Sequence, residues 1–231
     1  MTNPTENALN LYGDKPRFES QGHGADIASQ RADDLDLIAL GFLRSRPHSS
    51  TTMALDLACG KGGQAYRMAL AGARVIAVDS SDFEDDILKL RKSSGGLNIS
   101  FLKEDMRFLD FPGTVSFDII ICQRAIHYLP HLEAIKVVAR MGKWLKPDGR
   151  IFLSASGANS ELGSLYPGLE HNVEDRFHPL DPAMQEKHDI RGDVCLYTQD
   201  DIHLLAKRSN LQVLQSFLSP FGNIKAVLVH V

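Results

Sequence analysis

The fold is decided by residues 54–63, which read Ala-Leu-Asp-Leu-Ala-Cys-Gly-Lys-Gly-Gly. An apolar run ends around Asp56, and Gly60, Gly62 and Gly63 form the turn that follows it. Glycine lacks a Cβ and accepts positive φ, so a backbone of this kind is able to pass close to a bound nucleoside. The run therefore predicts a buried strand followed by a nucleoside-binding loop.

The loop by itself leaves two interpretations open. Residues 60–65 fit the pattern G-x-G-x-x-A, in which a tight turn cradles the pyrophosphate of a dinucleotide. The same residues also suit a loop that contacts a nucleoside cofactor without a pyrophosphate. The rest of the chain has to distinguish the two.

The composition is that of an ordinary globular chain. Its 231 residues suit one α/β domain with a modest insertion, with 43% hydrophobic and 23% charged residues. A net charge of −4 gives no global field for a polyanion, which weighs against nucleic acid as a partner. No signal segment or apolar run of about 18 residues stands out, and three separated cysteines fit reduced thiols. We expect a cytoplasmic protein with no membrane contact and no metal site.

Strand and helix patterns alternate through the middle of the chain. Strands are predicted at residues 53–58, 74–79, 98–103, 117–122 and 150–155. Helices are predicted between them at 62–71, 81–92 and 131–145, with Ser81 as the N-cap of the second and a turn at 147–149. This alternation predicts a doubly wound parallel sheet with right-handed crossovers.

The two ends of the chain complete the predicted architecture. Residues 1–50 are predicted to form an arm and a cap helix over 25–44. Residues 51–231 form the main domain, in which 156–198 break the strand–helix rhythm as a long insertion. A capping box at Thr198 opens a helix to about 209, and strands at 211–218 and 224–231 form an antiparallel hairpin. The sheet is thus expected to have seven, mostly parallel, strands.

The order of these motifs resembles the class I S-adenosylmethionine-dependent methyltransferases over about residues 53–231. The opening run is similar to that family's L-D-x-G-C-G-x-G motif, with Ala58 in place of the first glycine. Residues 145–149 resemble its turn before the fifth strand, and the terminal hairpin resembles its sheet. The resemblance implies a small-molecule methyltransferase with S-adenosylmethionine (SAM) as cofactor and S-adenosylhomocysteine (SAH) as product.

The resemblance also implies cofactor contacts at the carboxyl ends of the first four strands. Asp56 would hold the cofactor's amino group, and Asp105 would accept from the adenine amine. Asp79 ends the second strand, where a carboxylate can accept from both ribose hydroxyls, a feature that SAM and NAD share. The full predicted set is Asp56, Ala58, Cys59, Gly60, Gly62, Asp79, Ser80, Glu104, Asp105, Met106, Cys122 and Gln123.

The segment after the fourth strand carries the candidate catalytic residues. Residues 122–130 read Cys-Gln-Arg-Ala-Ile-His-Tyr-Leu-Pro and resemble the family's L-H-H-L-P segment. His127 is a candidate general base because imidazole titrates near neutrality. Tyr128 and Arg124 are candidates for orienting the acceptor. Methyl transfer from a sulfonium is an in-line displacement, so most of the enzyme's contribution is alignment in a water-poor site.

The long insertion and the N-terminal arm are candidates for covering the acceptor. The residues at issue are Tyr12, Arg17, Phe18, Glu170, His171, Glu174, Asp175, Arg176, His178 and His188. The histidine spacings match no standard metal site, and a solvated acidic loop is an equal alternative for residues 156–198. Two other functions stay open: a SAM-binding protein that does not methylate, and an NAD(P)-dependent oxidoreductase.

Overall fold

The computed structural model describes residues 22–46 and 51–231. The strands are β1 Met53–Leu57, β2 Arg74–Asp79, β3 Ile99–Lys103, β4 Phe117–Gln123, β5 Leu145–Ala155, β6 His178–Pro179, β7 Asp193–Val194, β8 Leu211–Leu218 and β9 Ile224–His230. The helices are α1 Asp34–Arg44, α2 Gly63–Leu70, α3 Glu84–Ser93, α4 His131–Trp144, α5 Pro182–His188 and α6 Gln199–Arg208. Short 3-10 turns lie at Ile126–Tyr128, Glu161–Gly163, Pro167–Glu170 and Val173–Asp175. The cover candidates Tyr12, Arg17 and Phe18 lie outside the described residues.

The sheet confirms the predicted architecture. Seven strands pair in the order β3-β2-β1-β4-β5-β9-β8. The first five are parallel, and β9 runs antiparallel between β5 and β8. Leu57 in β1 pairs with both Val78 in β2 and Cys122 in β4, so three strands end at the same level. The strand order reverses between β1 and β4, which is where open α/β sheets bind their ligands.

The central strands are buried on both faces because helices cover both sides of the sheet. Alternate residues of a strand point to opposite faces. Leu55 and Ile120 therefore pack on the α4 and α6 side, whereas Ala54 and Ile119 pack on the α1 and α2 side. This two-sided burial explains the continuous apolar runs of the sequence.

The predicted cap helix over 25–44 is wrong at its start, since α1 begins at Asp34. The Asp33 carboxylate accepts from the backbone N–H of Leu35 (2.9 Å) and Asp36 (3.1 Å). Asp36 returns a bond by accepting from the N–H of Asp33 at 2.8 Å. This reciprocal cap fixes the N-terminus of the helix at Asp34. Residues 22–33 are left outside α1 as a non-helical segment, which we call the strap.

Two smaller local predictions also need correction. Ser81 is not the N-cap of α3, because the helix begins at Glu84 and the Ser81 N–H donates to Asp79 Oδ1 instead, at 2.9 Å. The predicted turn at residues 147–149 lies inside β5, where the pairing with β4 jumps in register. The Asp79 carboxylate thus holds the Ser81 N–H in a local turn, and a register shift carries β5 through residues 147–149.

The insertion at residues 156–198 is folded rather than irregular. Its apolar residues form a separate cluster of Leu162, Tyr166, Leu180, Ile190, Val194 and Leu196. Arg176 is buried there, donating to the Leu196 carbonyl at 3.0 Å and to the Asp201 carboxylate at 2.5 Å. The predicted capping box at Thr198 is confirmed, with Thr198 Oγ1 accepting from the Asp201 N–H at 3.1 Å.

The helices of the described ranges are short relative to a bilayer. Across residues 22–46 and 51–231, none combines the length and the apolar character that spanning a membrane would require.

Candidate functional site

A cavity of about 2040 Å³ opens at the carboxyl ends of the parallel strands. It begins beside the loop after β3, passes the ends of β2, β1 and β4, and reaches the ends of β5 and β9. Residues of the strap and residues 159–162, 187, 188 and 190 also line it. Typical ligand pockets have about 300–1,000 Å³, so this cavity has room for two small molecules side by side.

Most of the residues singled out from the sequence line this cavity. They are Asp56, Ala58, Cys59, Gly60, Asp79, Ser80, Glu104, Asp105, Met106, Gln123, Arg124, His127 and Tyr128. Two predicted cofactor residues are placed elsewhere. Cys122 is fully buried in the core on the α4 side of the sheet. Gly62 packs against α3, where a Cβ would lie 2.1 Å from Ile87 Cδ1. Neither residue lines the cavity, so the structure gives no support to their predicted cofactor contacts.

The loop after β1 has an unusual backbone. Ala58, Gly60 and Gly62 adopt φ of 61°, 52° and 81°, all in the left-handed region. Glycine enters this region freely, but for an L-residue it costs roughly 1–2 kcal/mol. The sequence showed that Ala58 stands at a glycine position of the motif but not that its φ is positive. The alanine therefore strains the loop that borders the cavity.

Replacing Ala58 by glycine is expected to stabilise the protein. The relieved strain outweighs the extra chain entropy of glycine, for a net gain of about 0.5–1 kcal/mol. The free energy of unfolding from urea denaturation measures the effect. Ala65→Gly is the matched control, because Ala65 is buried in α2 and a helical glycine costs roughly 1 kcal/mol. A loss of stability in Ala58→Gly would contradict the strain.

Two buried carboxylates lie at the cavity end nearest β1. Asp56 and Asp36 are only 4% and 2% exposed. Burial and then the charge of Asp36 raise the pKa of Asp56 to about 7. Burial and then the charge of Asp33 raise the pKa of Asp36 to about 6. Among the described residues nothing donates a hydrogen bond to Asp56 Oδ2. The pair forms an anionic pocket that a cation would relieve.

Asp36 belongs to this pocket although sequence reasoning did not select it. It accepts from the side-chain amide of Gln123 and lies 3.7 Å from Arg67 Nη2. Arg67 in turn donates to Gln64 Oε1 at 2.8 Å, and both residues keep a buried nitrogen without a hydrogen bond among the described residues. Helix α1 brings Asp36 to β1 from a distant part of the chain, so no local motif marks it.

Asp79 ends β2 and holds the loop after β1, which contains Gly60 and Gly62 and is called the glycine loop below. Its Oδ2 accepts from the Gly60 N–H and its Oδ1 from the Ser81 N–H, both at 2.9 Å. Burial raises its pKa. Each carboxylate oxygen retains a second lone pair, so Asp79 is still able to accept from a ligand diol.

The loop after β3 is fixed by two arginines. Arg107 Nη2 donates to Asp105 Oδ2 at 2.7 Å, and this hydrogen-bonded guanidinium lowers the pKa of Asp105. Arg140 from α4 donates to the carbonyls of Met106 (2.9 Å) and Arg107 (2.7 Å). Asp105 therefore already holds a partner, and its predicted adenine contact would share the carboxylate with Arg107. Neither arginine was marked by a sequence motif.

The strap lies across the glycine loop and ties it to the insertion. Asp26 Oδ2 accepts from the Lys61 N–H at 3.0 Å. The Gly24 N–H donates to the Asp189 carbonyl at 3.1 Å, and the Tyr128 hydroxyl donates to the His23 carbonyl at 2.5 Å. Tyr128 thus anchors the strap. Tyr128 also lines the cavity, which is compatible with its predicted role in orienting the acceptor. That role stays a prediction.

His127 is less suited to acid–base chemistry than the sequence indicated. It is 1% exposed, and its Nε2 lies 3.2 Å from Ser156 Oγ. Burial, followed by the charges of Arg124 and His23, lowers its pKa to about 3. A ring of that pKa is neutral at pH 7 and a weak proton acceptor. The geometry favours His127 as a residue that joins the end of β4 to Ser156.

Of the insertion residues singled out from the sequence, one lines the cavity. His188 lines it together with Glu161, Leu162 and Lys187. Glu170, His171, Glu174, Asp175, Arg176 and His178 do not line it. His171 and His178 stack on each other with ring centroids 4.9 Å apart. No group of three or more His, Cys, Asp or Glu suited to a metal ion occurs in the part of the chain that the structure describes.

Comparisons with known proteins identify similar methyltransferases. Residues 54–149 match the family described as "Methyltransferase domain". The chain is 27% identical over 126 residues to a ubiquinone biosynthesis O-methyltransferase of Burkholderia vietnamiensis, covering 54% of this chain and 53% of the relative. It is 34% identical over 113 residues to a cypemycin N-terminal methyltransferase of a Streptomyces species, covering 48% and 44%. The chain thus spans about half the length of these curated relatives.

A solved structure shares the fold. It is the 1,6-didemethyltoxoflavin-N1-methyltransferase of Burkholderia thailandensis, with bound 1,6-didemethyltoxoflavin and S-adenosylhomocysteine. The TM-score is 0.64 at 18% identity, over 88% of this chain and 78% of that one.

Proposed function

We propose, from the premise that this chain belongs to the Rossmann-like SAM-dependent methyltransferases through its methyltransferase domain at residues 54–149, that it transfers the methyl group of SAM to a small-molecule acceptor. The related toxoflavin enzyme binds a small acceptor and SAH together, which supports this assignment. The cavity volume supports it too, since it has room for a cofactor and an acceptor.

The observation that carries the proposal is the charge around the glycine loop. Four carboxylates line the cavity there: Asp26, Asp36, Asp56 and Asp79. SAM carries a sulfonium, an ammonium and one carboxylate and is therefore a net cation, whereas a dinucleotide would bring a pyrophosphate into the same acidic region. The N–H of Lys61, near the start of α2, already donates to Asp26 rather than pointing free toward a phosphate. Electrostatics therefore favour SAM over NAD(P).

The residues present fit three parts of the cofactor: its ammonium, its ribose and its adenine. Asp56, with its unpaired Oδ2 and the adjacent Asp36, would hold the ammonium. Asp79 would accept from the ribose hydroxyls, and the loop at Glu104, Asp105 and Met106 would flank the adenine. When bound, SAM supplies an already activated methyl group, so the protein does not have to activate the donor.

The chain's own residues then have three tasks. The carboxylates bind the cationic cofactor, and the strap excludes water from the glycine loop. Arg124, Ser154 and Lys225 line the cavity at the ends of β4, β5 and β9, where the acceptor would bind. Alignment for in-line displacement supplies most of the rate. With His127 neutral and buried, we propose no proton transfer to it.

A ligand panel tests the proposal. SAM and SAH are expected to raise the melting temperature of the protein, while NAD and NADP leave it unchanged at the same concentrations. If neither SAM nor SAH shifts the melting temperature at saturation, the proposal is wrong. Stabilisation by NAD or NADP alone would favour the oxidoreductase instead. Tight SAH binding without methylation of any acceptor in a broad screen would favour a non-catalytic SAM-binding protein.

A further inference from the structure

The backbone of Arg124 is conformationally constrained where this residue lines the cavity, in the region that the proposed function assigns to the acceptor. It directly follows β4 and adopts φ of 48°, a left-handed conformation that costs an arginine roughly 1–2 kcal/mol. Its N–H is shared between the carbonyl (2.9 Å) and the hydroxyl (3.0 Å) of Ser154 at the end of β5. Strain that the surrounding structure maintains at a cavity wall points to a function for the side chain.

The guanidinium of Arg124 has no hydrogen bond or ion pair among residues 22–46 and 51–231. The residue is half-buried and lines the cavity. Asp33 interacts electrostatically with Arg124, but both carboxylate oxygens of Asp33 accept hydrogen bonds from other donors. Asp33 Oδ2 pairs with the buried Lys225 at 2.6 Å, and Oδ1 accepts the two N–H groups that cap α1. Asp33 therefore already balances the charge of Lys225 and caps α1, and it makes no ion pair with Arg124.

Several other basic side chains that line the cavity have acidic partners. Arg107 pairs with Asp105 at 2.7 Å. Lys187 pairs with Glu161, which also lies 3.2 Å from His188 Nε2. The groups next to Arg124 are neutral: the pKa of His127 is lowered to about 3, and burial raises the pKa of Tyr128. The Arg124 guanidinium is therefore a positive charge on the cavity wall that no described residue balances through an ion pair.

We propose that Arg124 binds a carboxylate of the methyl acceptor, so that the substrate of this protein is an anionic small molecule. The cavity would then have two electrostatically opposite ends, carboxylates around the cofactor's cationic groups and a guanidinium for the acceptor. A guanidinium holds a carboxylate through two parallel hydrogen bonds, which fixes the orientation as well as the position of the ligand. This inference rests on the proposed function for the identity of the ligand as the acceptor.

Acetate and acetamide are the probes, because a small carboxylate and its neutral analogue fit a cavity of any shape. The ligand-free protein is labelled with ¹⁵N-arginine, and the Arg124 Nε resonance is followed during titration. Acetate is expected to shift this resonance saturably, and acetamide is not. Arg124→Lys keeps the charge but loses the two-pronged geometry, so we expect its acetate affinity, measured by calorimetry, to fall about tenfold.

Arg124→Gly removes the side chain at a backbone position that glycine adopts without strain, so the variant is expected to fold and to lose acetate binding. Asn210→Gly is the matched control, because Asn210 also has positive φ (57°) and does not line the cavity. Its acetate affinity is expected to equal that of the wild type. An unshifted Arg124 resonance in the wild type, or equal acetate binding in Arg124→Gly, overturns the inference. A separate SAH titration tests the proposed function, so the two failures are distinguishable.

Discussion

The substitution Asp56→Asn is expected to abolish stabilisation by SAH while raising the melting temperature of the ligand-free protein. Asparagine keeps the shape of the side chain but cannot supply the negative charge that the cofactor's ammonium requires. It also removes a carboxylate that folding buries at 4% exposure, with an oxygen lacking a hydrogen bond among the described residues. Thermal unfolding of both proteins at pH 8, with and without SAH, measures the two effects together.

The size of the stability effect follows from the pKa of Asp56. Folding raises that pKa from 3.8 to about 7. Each pKa unit corresponds to about 1.4 kcal/mol, so ionised Asp56 destabilises the ligand-free fold by an amount on the order of a few kcal/mol. For a domain of this size 1 kcal/mol changes the melting temperature by about 2–4 °C, so a rise of several degrees is expected.

The pH dependence has a defined sign. Below about pH 4 Asp56 is protonated in the folded and unfolded states, and its burial costs little. As the pH rises from there to about 7, the unfolded state ionises first, so this group's contribution to folding stability falls. Above about pH 7 the penalty is constant. SAH affinity is expected to change oppositely and rise between pH 6 and 8, because Asp36 and Asp56 become charged there.

The difference between wild type and Asp56→Asn isolates this group from the other titrating residues. Asp85→Asn, at an exposed position in the first turn of α3, serves as the control and is expected to bind SAH normally. Retained SAH stabilisation in Asp56→Asn would remove the carboxylate pocket from the proposed function. A ligand-free variant that is less stable than wild type at pH 8 would contradict the burial penalty.

The substitution Gly63→Ala is expected to displace the strap from the glycine loop. A Cβ on Gly63 would lie 2.0 Å from the backbone carbonyl oxygen of Ala28. Gly63 has ordinary helical φ, so the conflict is steric and cannot be relieved by a side-chain rotation. We expect a loss of about 1–3 kcal/mol in the free energy of unfolding, which is typical of overpacking. Faster amide hydrogen exchange at residues 24–31 and weaker SAH binding should accompany it.

Gly41→Ala is the matched control for this substitution. Gly41 lies in the middle of α1, and a Cβ there would meet nothing within 4 Å. Alanine favours a helix by up to about 1 kcal/mol over glycine, so this variant should be more stable. Unchanged exchange at residues 24–31 in Gly63→Ala would mean that the strap is not held by its contact with α2.

Much of the fold was readable from local patterns. The five parallel strands, the hairpin and the cap at Thr198 were predicted because each depends on burial periodicity or on a capping pattern only a few residues long. The start of α1 was not predicted correctly, because an apolar helical spacing and a capping box overlap there. Apolar residues with helical spacing extend back to Ile27 and suggest an earlier start. The reciprocal hydrogen bonds of Asp33 and Asp36 instead fix the start of the helix at Asp34.

The candidate site was readable only in part. Asp56, Asp79 and the glycine loop belong to contiguous motifs at strand ends, so their placement follows from the parallel sheet. Asp36 and the strap come from outside those motifs, and long-range packing alone brings them to the cavity. The lowered pKa of His127 is also a tertiary effect, since burial and a neighbouring charge produce it.

By itself, the sequence determined the parallel sheet, the glycine loop after β1 and the position of the site at the strand ends, because these depend on periodicity and short motifs. Only the tertiary structure decided the electrostatics of the site. It paired Asp36 with Asp56, tied the strap to the glycine loop and left Arg124 without an ion pair in the described residues. Charge interactions and burial depend on distances between segments far apart in the chain, and those distances exist only after folding.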